Sequence, residues 1–289
     1  MLRVAFLGPA GTFTEEALRA SAPQNVDEIP YPTVFETVMA VQEGEADRAV
    51  VPIENSLEGG VAATLDALAG EAEAVRIAAE VVQPIHHCLV APRELALDEI
   101  ERVVSHPQAT AQCQHFLRDR LPGAERLSVP STAEAVRTVA GAAEPWAALG
   151  SRLSASLYDC VVLADDVEDE PGNLTRFVWL APEDEVEAPD AGAEAKTSVV
   201  FWGAGDESPG WLVSVLGELA DRQINLTKIE SRPMRARFGH YMFFADLEGG
   251  ERDQAVRDAL HALGERVEGL RILGSYPAAQ AGGSSVDPR

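Results

Sequence analysis

Two hydrophobic rhythms alternate along the first 180 residues. Residues 2–7 form a short apolar run that reads as a buried strand. The turn Gly8-Pro9-Ala10-Gly11-Thr12-Phe13-Thr14 follows, and 15–22 reads as a short helix with Thr14 as N-cap. Residues 34–43 and 59–68 carry a helical pattern, and 48–53 is a compact apolar strand. Strands alternating with helices of this length predict an α/β sheet with mainly parallel strands. Residues 75–91 are one long β-prone stretch broken by Pro84, where the chain is expected to cross between two lobes. Strands at 102–104, 124–129, 146–149 and 161–163, with helices around 109–120 and 133–140, build the second lobe. Residues 173–180 then return to the first, which gives a hinged, two-lobed clamp.

An acidic stretch rich in proline and small residues separates this clamp from a second pattern. Strand at 196–202, helix at 210–222, strands at 224–230 and 240–246, helix at 252–263 and strand at 270–276 spell βαββαβ, the ferredoxin-like unit. The expected organisation is 1–182 (lobe one about 1–80 and 166–182, lobe two about 81–165), a linker at 183–195, a small domain at 196–277 and a frayed tail at 278–289.

Composition narrows the function classes. The 289 residues suffice for two or three domains. No apolar run approaches the roughly 20 residues that span a bilayer, and the N-terminus flows straight into strand and turn, so a cytoplasmic location is expected. A net charge of -24 argues against nucleic-acid binding. Only two of the 23 basic residues are lysines, Lys196 and Lys228. An acidic, lysine-poor surface suits a high-salt cytoplasm, and a GC-rich genome would produce the same bias. Cys88, Cys113 and Cys160 are odd in number, far apart and without a CxxC pair, so neither disulfide nor zinc is expected.

The chemistry-bearing segments sit at strand ends. Gly8-Pro9-Ala10-Gly11-Thr12 lacks the Gly-Lys-Ser/Thr ending of a phosphate loop, and no lysine precedes Lys196, so nucleotide binding is not expected. Such a turn is either an anion cradle, with Thr12 and Thr14 as hydroxyl donors, or a structural turn. Glu54-Asn55-Ser56 leaves an apolar strand, as ligand groups or as a capped turn. Ser105-His106-Pro107-Gln108 leaves another, with Gln112 one helical turn beyond Gln108. No nucleophile elbow surrounds Ser105, so serine-hydrolase chemistry is not expected and His106 reads as a hydrogen-bonded loop residue. His86 and His87 point to opposite faces of a strand without a nearby ligand pattern, and no metal is expected. In Asn173-Leu174-Thr175-Arg176-Phe177, residues Asn173, Thr175 and Phe177 share one strand face and Arg176 the other. Arg176 reaches the same ligand only around a bend; otherwise it forms a structural ion pair.

Thr175-Arg176-Phe177, Val51-Pro52-Ile53-Glu54-Asn55-Ser56, Ser105-His106-Pro107-Gln108 and Glu230-Ser231-Arg232-Pro233, in this order and spacing, resemble the monofunctional prephenate dehydratase family with its C-terminal ACT regulatory domain, over nearly the whole chain. The resemblance implies an α/β, bilobal catalytic domain similar to periplasmic binding proteins, plus a ferredoxin-like ACT domain. It implies decarboxylating dehydration of prephenate to phenylpyruvate without a cofactor. Thr175 is then the catalytic donor to the departing hydroxyl, with Thr12, Glu54, Asn55, Ser56, Ser105, Gln112, Asn173, Arg176 and Phe177 around the substrate. Cationic or amide-rich groups are expected to hold the pyruvyl carboxylate, and Phe177 to face the departing one. Two further segments resemble phenylalanine-binding motifs: Gly210, Leu212 and Val213 in the first, and Asn225, Leu226, Glu230, Ser231, Arg232 and Pro233 in the second. Trp211 stands where the first motif normally has alanine. L-Phenylalanine is the implied effector and a homodimer or homotetramer the implied assembly. An arogenate dehydratase, or a non-catalytic two-lobed binding protein, would share much of this pattern.

Overall fold

The computed structural model describes residues 1–203, 208–234 and 239–279. The first sheet opens with β1 (Leu2–Leu7), then α1 (Phe13–Ser21), β2 (Val26–Tyr31), α2 (Val34–Gln42), β3 (Arg48–Asn55), a two-residue β4 (Gly59–Gly60), α3 (Ala62–Ala69) and β5 (Val75–Pro84). The N-caps are supplied locally: Thr12 accepts from the Glu15 amide and Thr33 from that of Glu36. The expected start of α1 moves accordingly, because Thr12 rather than Thr14 caps it.

The chain then crosses into a second sheet. It carries β6 (Cys88–Ala91), β7 (Arg102–Ser105), α4 (Pro107–Gln112), α5 (Gln114–Arg120), β8 (Glu125–Ser128), α6 (Thr132–Ala140), β9 (Trp146–Gly150), α7 (Arg152–Leu157) and β10 (Val161–Ala164). The return strand β11 (Leu174–Pro182) inserts between β3 and β5, antiparallel to both. The first sheet runs β2-β1-β3-β11-β5 and the second β10-β6-β9-β7-β8. Both are mixed rather than mainly parallel, because each accepts strands from a crossing between lobes. The result is the two-lobed α/β clamp.

The third sheet holds β12 (Ala195–Trp202), β13 (Leu226–Pro233), β14 (Tyr241–Glu248) and β15 (Gly269–Pro277), with α8 (Trp211–Ala220) and α9 (Gln254–Gly264) on one face. Its order, β13-β14-β12-β15, is the ferredoxin-like arrangement. The other face is docked: Val200, Phe244, Leu273 and Tyr276 join one buried cluster with Val38, Leu68, Ile77 and Leu180 of the first lobe. Burying a side chain of this size contributes about 1.5–3 kcal/mol. The backbones approach closely at Gly274, where a Cβ would stand 2.2 Å from the Ile77 carbonyl oxygen. No helix among the described residues is long and apolar enough to cross a membrane. Residues 280–289 of the expected tail lie outside the described residues.

Candidate active site

A cavity of about 310 Å³ opens between the two lobes. Lobe one contributes Thr12, Phe13, Thr14, Pro52, Asn55, Asn173, Thr175 and Phe177; lobe two contributes His87, His106, Gln108, Gln112, Ser131 and Thr132. No lysine, arginine, aspartate or glutamate lines it among the described residues.

Strand geometry explains the lobe-one wall. Thr175 pairs with Asn55 and Arg176 with Glu54, but Phe177 pairs with Pro52. The register slips there because β3 carries one residue more than β11, a bulge. On a regular strand Pro52 and Asn55 would face opposite ways. The bulge turns both toward the cavity, opposite Phe177 and Thr175.

The polar groups form one buried chain. Asn55 Oδ1 accepts from the backbone amides of Leu57 (3.0 Å) and Glu58 (3.1 Å). Its Nδ2 therefore faces inward and donates to Thr175 Oγ1 (2.9 Å) and Asn173 Oδ1 (2.7 Å). Asn173 Nδ2 donates in turn to Gln112 Oε1 at 3.3 Å. With Thr175 Oγ1 already accepting, its hydrogen is free to point into the cavity.

Lobe two adds uncharged donors. The Gln108 amide donates to His106 Nδ1 at 3.3 Å, so in neutral His106 the hydrogen sits on Nε2. Burial lowers the pKa of both His106 and His87. Ser131 caps α6 by accepting from the Glu134 amide. The first amides of α1 and α6 lack intrahelical acceptors and lie at the cavity wall.

Several expected ligand groups lie elsewhere. The cradle at Gly8–Thr12 is filled from within, because the Gly11 amide donates to the chain's own Glu15 carboxylate at 2.5 Å. Thr12 lines the cavity, but its hydroxyl donates to the Leu7 carbonyl at 2.8 Å. Ser105 is fully buried and donates to Leu149 O at 3.1 Å, tying β7 to β9. Ser56 Oγ accepts from the Leu174 amide and pins the turn after β3 to the start of β11. Glu54 and Arg176 occupy the opposite strand face from Asn55 and Thr175. There the Arg176 guanidinium reaches Glu54 (3.0 Å), Glu80 (3.1 Å) and Asp246 (2.7 Å). Burial opposes its charge, yet Asp246 and the neighbouring carboxylates outweigh that and raise its pKa.

Sequence reasoning passed over His87, Phe13 and Ser131. The pattern Ser131-Thr132-Ala133-Glu134 is a capping-box signature and marked a helix start. His87 carried a weaker signal: in a histidine pair on a strand, one side chain must turn inward. The other, His86, sets its Nδ1 2.9 Å from Glu168 and 3.2 Å from Asp166. These are the described residues whose donor atoms come close enough for a metal, and they lie at the crossing between lobes, outside the cavity. Cys88 and Cys113 are buried, and burial raises both thiol pKa values, that of Cys88 to about 12.

In the small domain a second cavity, about 210 Å³, is lined by Ser208, Gly210, Trp211, Leu212, Val213, Gly239, Tyr241 and Phe243. The Trp211 indole donates to Arg266 O at 3.2 Å and packs obliquely on Phe201 and Phe243, leaving this space open. The second expected effector segment lies apart from it. Asn225 donates to Glu248 and Leu226 packs in the helix-side core. Glu230 closes over Gly60 and pairs with Lys228, and Arg232 makes a bidentate pair with Asp66 of lobe one. Ser231 and Pro233 pair in register with Phe243 and Tyr241, which line the cavity, but are not among its described lining residues themselves.

A two-lobed α/β catalytic unit with a ferredoxin-like unit docked on its first lobe is the class this fold and cleft define. The family model for prephenate dehydratase matches residues 4–185 and that for the ACT domain residues 197–265. The chain belongs to the prephenate dehydratase family and carries a C-terminal ACT domain. It is 38% identical to a prephenate dehydratase of Amycolatopsis methanolica, over 100% of this chain and 92% of that one. It is 39% identical to arogenate dehydratase 4 of Arabidopsis thaliana, over 96% of this chain and 68% of that one. Its fold matches a crystal structure of prephenate dehydratase from Arthrobacter aurescens in complex with L-Phe, with a TM-score of 0.87 and 38% identity, covering 99% of this chain and 94% of that one.

Proposed function

We propose that the cleft converts prephenate to phenylpyruvate, water and carbon dioxide, with Thr175 as the donor to the departing hydroxyl. The observation that carries this reading is the Asn55 contact. Because Asn55 Nδ2 donates to Thr175 Oγ1, the threonine hydrogen is directed at the cavity and polarised. The C–O and C–carboxylate bonds break, and the electron pair of the latter completes the aromatic ring. The hydroxide leaves with its charge met by the Thr175 hydrogen bond. A threonine is too weak an acid to transfer its proton fully, so a solvent proton completes the water.

The uncharged lining fits the rest of the chemistry. A cation gripping the ring carboxylate would stabilise the ground state, whose charge disperses in the transition state. Phe177 presents an apolar surface instead. Amide and hydroxyl donors, with the helix starts at Thr12 and Ser131, would hold the pyruvyl carboxylate. The same lining favours prephenate over arogenate, since the arogenate ammonium meets no carboxylate among the described lining residues.

L-Phenylalanine is the proposed effector, at the cavity beside Trp211. A homodimer or homotetramer through the ACT unit is supported by the exposed apolar residues Val213, Ile229 and Tyr241. The test is product formation by the purified chain from prephenate and from arogenate, each with and without L-phenylalanine, with size-exclusion chromatography alongside. Equal turnover of arogenate would overturn the substrate assignment, and no turnover of either would leave a binding protein.

A further inference from the structure

The buried chain that orients Thr175 continues past Gln112 to a histidine that the chemistry above does not use. His87 is 3% exposed, lines the cavity and sets Nε2 3.0 Å from Gln112 Oε1. The Phe13 ring meets its imidazole edge-on, at 5.4 Å between centroids.

The direction of each bond follows from the two backbone amides that fix Asn55. Leu57 and Glu58 hold Asn55 Oδ1, so Asn55 presents its NH₂ to Asn173. Asn173 must accept with Oδ1 and donate with Nδ2, so Gln112 must show its carbonyl. His87 Nε2 faces that same carbonyl oxygen and must therefore carry a hydrogen. Two atoms are left over: Gln112 Nε2 and His87 Nδ1 are buried without a hydrogen-bond partner. A buried donor left without a partner at the cavity wall is placed for a ligand oxygen.

We propose that His87 is a positioning residue: its Nε2–H pins the Gln112 carbonyl, so that Gln112 Nε2 points at a carboxylate of the substrate. The proposal rests on reading the cavity as the substrate site. Asn173 alone holds the Gln112 carbonyl through one long bond, 3.3 Å. His87 supplies the second and shorter one. Without it the Gln112 amide is free to turn, and the substrate loses an oriented donor. That donor would serve a carboxylate retained through the reaction, so its loss should appear in KM and spare kcat.

The test is a double-mutant cycle on the full-length protein, with prephenate as substrate. His87→Phe keeps a ring and removes the N–H; Gln112→Ala removes the donor itself. Each is expected to raise KM about tenfold with kcat within a few-fold, and the double variant should be no worse than Gln112→Ala alone. His87→Gln, with an amide nitrogen near the Nε2 position, should recover most of the affinity. Additive effects, or a His87→Phe enzyme with unchanged KM, would overturn the proposal. Should His87→Phe fail to fold, the imidazole ¹⁵N shifts of the wild-type chain decide. Hydrogen on Nε2 is expected, and an Nδ1–H tautomer refutes the chain as drawn. The tautomer readout needs no turnover, so a chain inactive on prephenate would count against the proposed function and leave the hydrogen-bond direction separately decided.

Discussion

The Arg176 guanidinium lies 2.7 Å from the Asp246 carboxylate, and this contact joins the return strand of the catalytic unit to the central part of the ACT sheet. Thr175, one residue earlier, faces the cleft. Strand alternation therefore puts a cavity residue and an interdomain residue side by side, and Asn55 and Glu54 repeat the arrangement on β3. A shift of the ACT sheet would reach both cleft residues through these two strands.

Arg176→Met is expected to cost about 3–5 kcal/mol of stability, because buried Asp246 would lose its guanidinium partner while Glu80 would keep Lys196. Denaturant unfolding checks this. A loss below about 1 kcal/mol would mean that the cluster is solvated like a surface pair.

Thr175→Ala is expected to lower kcat about 10²–10³-fold with KM within a few-fold, the usual effect of removing one donor from a developing negative charge. Asn55→Asp is nearly isosteric but cannot donate to Thr175 and brings a negative charge to a dianion site. It should lower kcat comparably and raise KM as well. Steady-state kinetics of the two variants separates a donor role from a merely space-filling one.

Acid should destabilise the fold through His87. Burial lowers its pKa below the usual 6.5, so the unfolded chain takes up this proton first as pH falls. The contribution is fully present above 6.5 and is lost as pH falls from there through the lowered folded value. His87→Gln should flatten the fall in unfolding free energy between pH 7 and 5. An unchanged slope would assign it to other groups.

L-Phenylalanine should suppress turnover of the unmodified chain, because Trp211 leaves its cavity open. Trp211→Ala is expected to lower stability by about 2 kcal/mol, since the half-buried indole loses Phe201, Phe243 and the Arg266 carbonyl. Inhibition curves and thermal unfolding of the two chains test both statements. Wild-type turnover indifferent to L-phenylalanine would remove the cavity from consideration as the effector site.

Much of the fold was readable because strands and helices announce themselves by period. The placing of Thr175 and Phe177 opposite Arg176 needs only strand alternation. What escaped the sequence depends on contacts between distant segments. The bulge that brings Pro52 beside Asn55 had a single local marker, the proline itself, which cannot donate to the ladder of a central strand. Ser105 ends a strand, as a ligand group would, but the Leu149 carbonyl claims its hydroxyl. The Gly8–Thr12 turn has the composition of an anion cradle, and its own Glu15 occupies it. His87 looked idle because Gln112, Asn173 and Asn55, which give it a role, come from three other stretches of chain.

Both lysines of the chain sit in the cluster around Arg176: Lys196 holds Glu80 at 2.7 Å, and Lys228 lies 3.7 Å from Glu54. Their side chains are only 16% and 8% exposed. Amine-directed acylation of these two lysines becomes a reporter of domain separation: both should label slowly in the docked chain, and any condition that lifts the ACT sheet should uncover them.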